Sequence, residues 1–412
     1  ATVGPRLDEI AGTIHTRFES EPLLEAGLHA TIGDMYRQMA NFGDARVHME
    51  AALRIRREAL GASNVETLRS MKELAELYRE LGEIEAVRET QASKALLEEA
   101  LNVSRGMHGD DDEMTLTLMT NLARVYYDLG RETSDDQDFG RSRELYLGAQ
   151  EHLRRLGLGD SLDALRCETG LGMLAHERAK RLRRSKLEDE RAEAEAADAQ
   201  ARGMLEDALA RQVSLVGKRD LLTQKTMNNL AVAYSVAYGV SQDPSYLARA
   251  ERLFSDLLSA REKTLGRMHK RTLTVQANLG ELYLDMGAPE NAIGQLRGAL
   301  EGMRTVYAAD NLNLPYVQMK LAEAFMMAGR LEESEGAYAE AVRMMRAHVE
   351  GPESDLAGWL GEFLKGYGRV LVERGRREEA RAVLQEAVQM LGGEGASVRE
   401  VEEMLSGLEE AD

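Results

Sequence analysis

Aromatic residues make up only 5% of this chain of 412, and proline occurs just 6 times. Few prolines leave helices uninterrupted, and the scarcity of aromatic and β-branched residues argues against a sheet core. The single cysteine, Cys167, excludes an intrachain disulfide framework. No apolar run approaches the roughly 20 residues of a membrane-spanning helix. Positive charge is also short: 52 Lys and Arg face 71 Asp and Glu, for a net charge of -19. Such a surface repels phosphates and anionic lipid, so neither nucleic acid nor direct membrane contact is expected. The sequence opens on Ala rather than Met, which reads as a fragment and leaves room for a missing targeting segment. The expected compartment is the cytoplasm, or an extracytoplasmic one where a membrane span precedes this segment.

What is abundant is Ala, Leu, Glu, Arg and Met, all good helix formers. They recur in a fixed pattern: a large apolar residue, a small one, then an aromatic three residues later. Ile32-Gly33 with Tyr36 fits, as do Leu74-Ala75 with Tyr78, Leu122-Ala123 with Tyr126, and Leu230-Ala231 with Tyr234. Leu279-Gly280 with Tyr283 and Leu321-Ala322 with Phe325 continue it, and Leu171-Gly172 and Tyr367-Gly368 are degenerate copies. A second apolar stripe follows each, such as Ala292, Leu296, Ala299 and Leu300 after Gly287.

Each pair of stripes reads as a helical hairpin. The small residue permits a close crossing, and a glycine in the left-handed conformation ends the first helix. Gly280 and Tyr283 are accordingly expected to meet the second helix of their own unit. The small residues at 33, 75, 123, 172, 231, 280, 322 and 368 are spaced by 42, 48, 49, 59, 49, 42 and 46.

This is the pattern of the tetratricopeptide repeat, of about 34 residues at minimum, so every unit is extended. The expected fold is all-α: a right-handed superhelical solenoid of about eight extended hairpins with a C-terminal capping helix. Residues 1–21 are expected to hold an N-terminal packing helix, 22–391 the repeat array, and 392–412 the capping helix and tail. Residues 131–139 (RETSDDQDF) and 239–245 (GVSQDPS) read as polar loops. Residues near 179–200 (AKRLRRSKLEDERAEAEAADAQ) read as a helical insertion projecting from the array, because they lack a wide apolar stripe.

The extended unit resembles the repeats of kinesin light chain and its prokaryotic relatives, most clearly in "EALGASNVETLRSMKELAELYRELG" and "KTLGRMHKRTLTVQANLGELYLDMG". The opening stretch "LDEIAGTIHTRFESEPLLEAGLHATIGDMYRQMANFGDARVHMEAALRIRREALG" resembles the repeat arrays that follow the kinase domain of some bacterial serine/threonine kinases. This chain departs from those kinases in having no kinase domain, Gly-rich loop, HRD or DFG. The resemblance implies an interaction or sensing module rather than an activity.

Chemistry is hard to find. None of the 8 histidines has a ligand-spaced partner, and His176 reads as a packing residue. "DDDE" at 110–113 reads as a helix start. Gly392-Gly393-Glu394-Gly395 reads as the break before the cap. Met319, Met326, Met327, Met344 and Met345 read as packing, or as an adaptable apolar surface. No catalytic residue, metal or cofactor is expected, and the chain is not expected to be an enzyme.

The expected partner is a protein or peptide, with oligomeric state open. A residue two before each small one is rotated by about 200° on the helix, away from the crossing. That position holds Thr31, Glu73, Asn121, Gly170, Asn229, Asn278, Lys320 and Gly366. An Asn amide both donates and accepts, so Asn121, Asn229 and Asn278 are candidates to hold a peptide backbone. The similar Asn of "NNLA" in kinesin-light-chain repeats serves this role, and here "NNLA" contains Asn228 and Asn229. Arg124, Lys225 and Lys320 complete the candidate groove, although Glu281 and Glu323 spoil a uniformly basic one. Two readings stay open: a scaffold that binds its partner in this groove within a signalling protein, or a fixed subunit of a large assembly.

Overall fold

The computed structural model describes residues 13–18, 20–39, 41–82, 87–183, 188–308, 310–354, 356–393 and 395–409. It is 85% helical, and no strand occurs among the described residues. The chain divides after Leu215 into two compact units.

In the first unit a short helix α1 (Ile14–Phe18) precedes four hairpins: α2 (Pro22–Gln38) with α3 (Phe42–Leu60), α4 (Val65–Gly82) with α5 (Val87–His108), α6 (Glu113–Thr133) with α7 (Asp136–Arg155), and α8 (Leu162–Leu182) with α9 (Glu188–Val216). The second unit repeats the plan with α10 (Leu221–Ser241) and α11 (Pro244–Thr264), α12 (Lys270–Asp285) and α13 (Pro289–Val306), α14 (Asn313–Met327) and α15 (Leu331–Arg346), and α16 (Ala357–Glu373) and α17 (Arg377–Leu391). Helix α18 (Ala396–Glu409) closes it, burying Val398 and Val401. All eight expected hairpins are present. Of the N-terminal helix expected before them, residues 1–12 lie outside the described residues.

The small residues sit where the helices cross. Ala75, Ala123, Ala231 and Ala322 are fully buried. A Cβ on Gly280 would lie 2.6 Å from Leu296 Cγ, and one on Gly368 would lie 2.4 Å from Leu384 Cδ2. Gly280 thus meets its own second helix, as expected. Tyr283 packs against the core cluster that holds Ala292 and Leu296 of that helix, and its hydroxyl also reaches back, donating to Glu251 of α11 at 3.0 Å. Tyr78 bonds Glu50 at 2.6 Å and Tyr126 bonds Glu98 in the same way. A tyrosine ring is long enough to pass the crossing, so in these three hairpins it ties the hairpin to the one before.

Two sequence expectations fail in the same manner. Residues 131–139 and 239–245 are not loops, because helix continues to Thr133 and Ser241 and restarts at Asp136 and Pro244. Asp135 and Asp243 cap the restarts, accepting from Gln137 N at 2.8 Å and Ser245 N at 2.9 Å. Phe139 is buried, edge-on to Tyr127 with centroids 6.0 Å apart.

Of the segment near 179–200, residues 184–187 lie outside the described residues, and the described remainder does not project either. Ala194, Ala197, Ala201, Leu205 and Ala208 are buried at helical spacing, and Ala201 and Leu205 pack beside Gly172. Asp198, also buried, lies 3.3 Å from His176 and pairs with Arg183. An alanine stripe buries little area per residue yet allows a close helix contact, which supplies the packing that a count of large apolar residues misses.

Candidate face of the first helices

First helices of successive hairpins lie side by side: α4, α6 and α8 in the first unit, and α12, α14 and α16 in the second. The position two before each small residue shows what this face offers. In the fourth and eighth hairpins it is closed. A Cβ on Gly170 would lie 2.3 Å from the Tyr146 ring, and one on Gly366 would lie 2.5 Å from the Tyr338 ring. Glycine is required there because a tyrosine from the preceding second helix occupies the space.

Asn121, in the first unit, is half-buried, as are Lys225, Asn228, Asn229 and Asn278 in the second. The Asn229 Nδ2 is buried without a hydrogen-bond partner. A buried amide donor left unpaired among the described residues costs about 1–3 kcal/mol. The two candidate cations that the structure engages are not available in the way the sequence suggests. The Arg124 guanidinium is held by Asp128 at 3.0 and 3.1 Å, and Asp128 also takes Arg79 at 3.4 Å. Lys320 is bonded to Glu323 at 3.1 Å and lies 3.7 Å from Glu281. Each cation is drawn into a pair because a carboxylate stands one turn along its own helix, Asp128 after Arg124 and Glu323 after Lys320.

Sequence reasoning named Met319, Lys320 and Met326 but not the concavity they share. A pocket of about 400 Å³ opens in the second unit between α14 and α16, over Tyr338 of α15. Tyr316, Met319, Met326, Trp359 and Phe363 form its apolar lining. Trp359, the chain's single tryptophan, is 51% exposed, and its ring centroid is 6.0 Å from that of Tyr316. Its position on the first turn of a first helix, beside glycines, was the available signal. Met327 is exposed and Met345 is core, so the late methionines divide between surface and packing.

Charges frame the pocket. Lys320 lies 5.9 Å from the Tyr316 centroid. Burial alone would lower its pKa, but Glu323 and Glu281 outweigh burial and raise it. Lys365 bonds Glu362 at 2.8 Å and Glu400 at 3.1 Å. The Tyr316 hydroxyl donates to Glu281 at 2.7 Å, and burial with that carboxylate pushes its pKa up. No group of three His, Cys, Asp or Glu that could hold a metal occurs among the described residues. No helix among them is long and apolar enough to cross a membrane.

Comparison with known proteins agrees with this architecture. Residues 24–92 and 115–147 match models described as tetratricopeptide repeat. No curated protein matches the chain. Among solved structures, the tetratricopeptide-like repeats of a kinesin light chain type from Podosopora anserina are 18% identical, covering 54% of this chain and 95% of that one at a TM-score of 0.43. A signal transduction ATPase of the STAND class from Pyrococcus horikoshii, with a tetratricopeptide repeat sensor, is 12% identical at a TM-score of 0.55. The alignment covers 89% of this chain but 49% of that protein, about half its length. A Rap protein complexed with Competence and Sporulation Factor is 10% identical, covering 94% and 98% at a TM-score of 0.51. At such identities the likeness to the latter two is one of fold alone. The matched stretches fall on the first three hairpins, and the chain carries tetratricopeptide repeats there.

Proposed function

We propose that this protein binds a partner peptide or protein segment along its first-helix face, as the partner-binding or sensing module of a signalling protein. Tetratricopeptide arrays are protein-interaction modules, and this reading says where the partner lies. The observation that carries it is the recurrence of a half-buried asparagine at one first-helix position in α6, α10 and α12, Asn121, Asn229 and Asn278. Asn278 stands at the equivalent position of the next hairpin, so two amides repeat along the second unit. Amide pairs of this kind hold a peptide backbone without reading its side chains. The sensor repeats of the STAND protein and the peptide-bound Rap protein are company in which such a role is at home.

The test is the triple variant Asn121→Ala, Asn229→Ala, Asn278→Ala. It should stay folded and lose at least about tenfold in affinity for the natural partner, since each lost hydrogen bond is worth about 1 kcal/mol. A photo-crosslinking residue at 278 should capture that partner, and one at Glu301, on a second helix, should not. Full affinity in the triple variant would move binding off this face.

A further inference from the structure

The pocket over Tyr338 has a sign of charge that its three cations conceal. Each lysine is bracketed by two carboxylates: Lys320 by Glu281 and Glu323, and Lys365 by Glu362 and Glu400. Each bracket therefore keeps one negative charge uncompensated. Asp285 stands behind the first bracket, where burial, Glu281 and Glu323 hold its pKa above the ordinary value. The sole remaining cation of the lining is Arg369, exposed at the rim. The lining itself balances, with three carboxylates (Glu323, Glu362, Glu400) against three cations (Lys320, Lys365, Arg369); the excess of negative charge comes from Glu281 and Asp285, which act on Lys320 from behind it.

Aromatic faces add to that preference. Tyr316 already has one ammonium near its ring, that of Lys320, and Trp359 presents an exposed ring beside it. Rings of this kind attract cations most strongly where water is partly excluded. The methionines Met319 and Met326 supply apolar surface that adapts to the shape of a side chain.

We infer that this pocket takes a basic peptide segment, one that places an arginine or lysine next to a bulky apolar side chain. The apolar side chain packs on Trp359, Met319 and Met326, and the cation meets the carboxylates of the two brackets. This deepens the peptide-binding reading above by naming the partner's chemistry, and it rests on that reading.

Trp359 is the only tryptophan, so its emission reports occupancy directly. Three model peptides of equal length and equal leucine content are titrated against the whole chain, carrying arginine, glutamine or glutamate at the polar positions. The arginine peptide should shift Trp359 emission at the lowest concentration, with affinity falling as salt rises. Glu323→Gln and Glu400→Gln should each weaken it about fivefold. Arg369→Glu, at an exposed position, should tighten the arginine peptide and loosen the glutamate one.

Equal binding of all three peptides would overturn the charge assignment and leave an apolar peptide site in place. Tighter binding of the glutamate peptide would do the same and reverse the sign. No response to any peptide would overturn the pocket as a site. The asparagine variants test the first-helix face separately, so that reading can stand or fall alone. Thermal melts of each variant identify any that lose the fold, and Arg369→Glu keeps the question answerable if a carboxylate variant does.

Discussion

Hairpins three to five and hairpins six to eight accommodate their length in different ways. In the later three, the first helix stops at a glycine in the left-handed region, Gly287 at φ 66°, Gly329 at 71° and Gly375 at 75°. Their helices run 15 to 18 residues. In the third to fifth hairpins the helices run 20 to 29 residues. Where the third and fifth turn, the left-handed residue is Ser134 at φ 60° or Gln242 at 58°. Extra sequence has gone into helix rather than loop. The lesson is that inserted residues persist as helix when they bury something, and here they bury Phe139 and the alanines of α9.

The largest test of that comparison replaces residues 188–200 with a Gly/Ser linker. This removes the buried Ala194 and Ala197 and strips Arg183 and His176 of Asp198. A loss of at least about 2–4 kcal/mol is expected, seen as an earlier thermal transition and lower helicity. A melt unchanged from the parent would restore the projecting insertion. The matching deletion has no counterpart in hairpins six to eight, which carry no such extension.

The crossing comes next, because both groups share it. Gly280→Leu should cost about 2–3 kcal/mol, since even a Cβ there approaches the Leu296 backbone N at 3.2 Å. Gly172→Leu should cost less: a Cβ there meets the flexible end of Leu205 at 3.0 Å and backbone only at 3.5 Å. Gly294, on α13, has open space around it, so Gly294→Ala should stabilise by up to about 1 kcal/mol. Denaturant titration of the three variants ranks them, and equal costs at 280 and 294 would show the register to be misassigned.

These contrasts show what the sequence made legible. Eight hairpins could be read because a small residue at the crossing recurs, with an aromatic three later in six of them. The extensions were misread because alanine is weakly apolar and Asp135 and Asp243 look like loop residues until their capping bonds are seen. The tyrosine staples were missed because spacing gives the face of a helix but not the reach of a hydroxyl. Of the candidate groove, the asparagines could be placed from helical geometry, whereas the pairing of Arg124 with Asp128 and of Lys320 with two glutamates depends on helix faces meeting. The pocket over Tyr338 draws on α14, α15, α16 and α18 together, and no local pattern brings four helices to one point.

Acid should act on the extension. Burial, ahead of the opposing charge of Glu177, lowers the His176 pKa from 6.5; burial likewise lowers that of His48, against Asp44. The unfolded chain then takes up protons first as pH falls. Stability from these neutral imidazoles is complete above about pH 6.5 and is lost as pH drops through the folded values. The melting temperature should therefore fall between pH 7.5 and 5.5, and His176→Gln should reduce that fall. An identical pH profile in the variant would remove the extension from the acid response.

The smallest effect is expected at the turns that set the two groups apart. A non-glycine residue in the left-handed region costs about 1–2 kcal/mol, and glycine relieves that at an entropic cost of about 0.5–1 kcal/mol. Ser134→Gly should therefore stabilise by about 0.5 kcal/mol. Gln242→Gly should gain less, because the Gln242 amide donates to the Gly239 carbonyl at 3.2 Å and to that of Tyr238 at 3.4 Å, bonds the variant gives up. Gly287→Ala should run the other way, losing about 1 kcal/mol, because its φ of 66° strains any Cβ although space around it is open. Chemical denaturation of the three single variants measures the differences. If Gly287→Ala proved neutral, the glycine turns of hairpins six to eight would owe nothing to backbone strain, and helix length alone would separate the two groups.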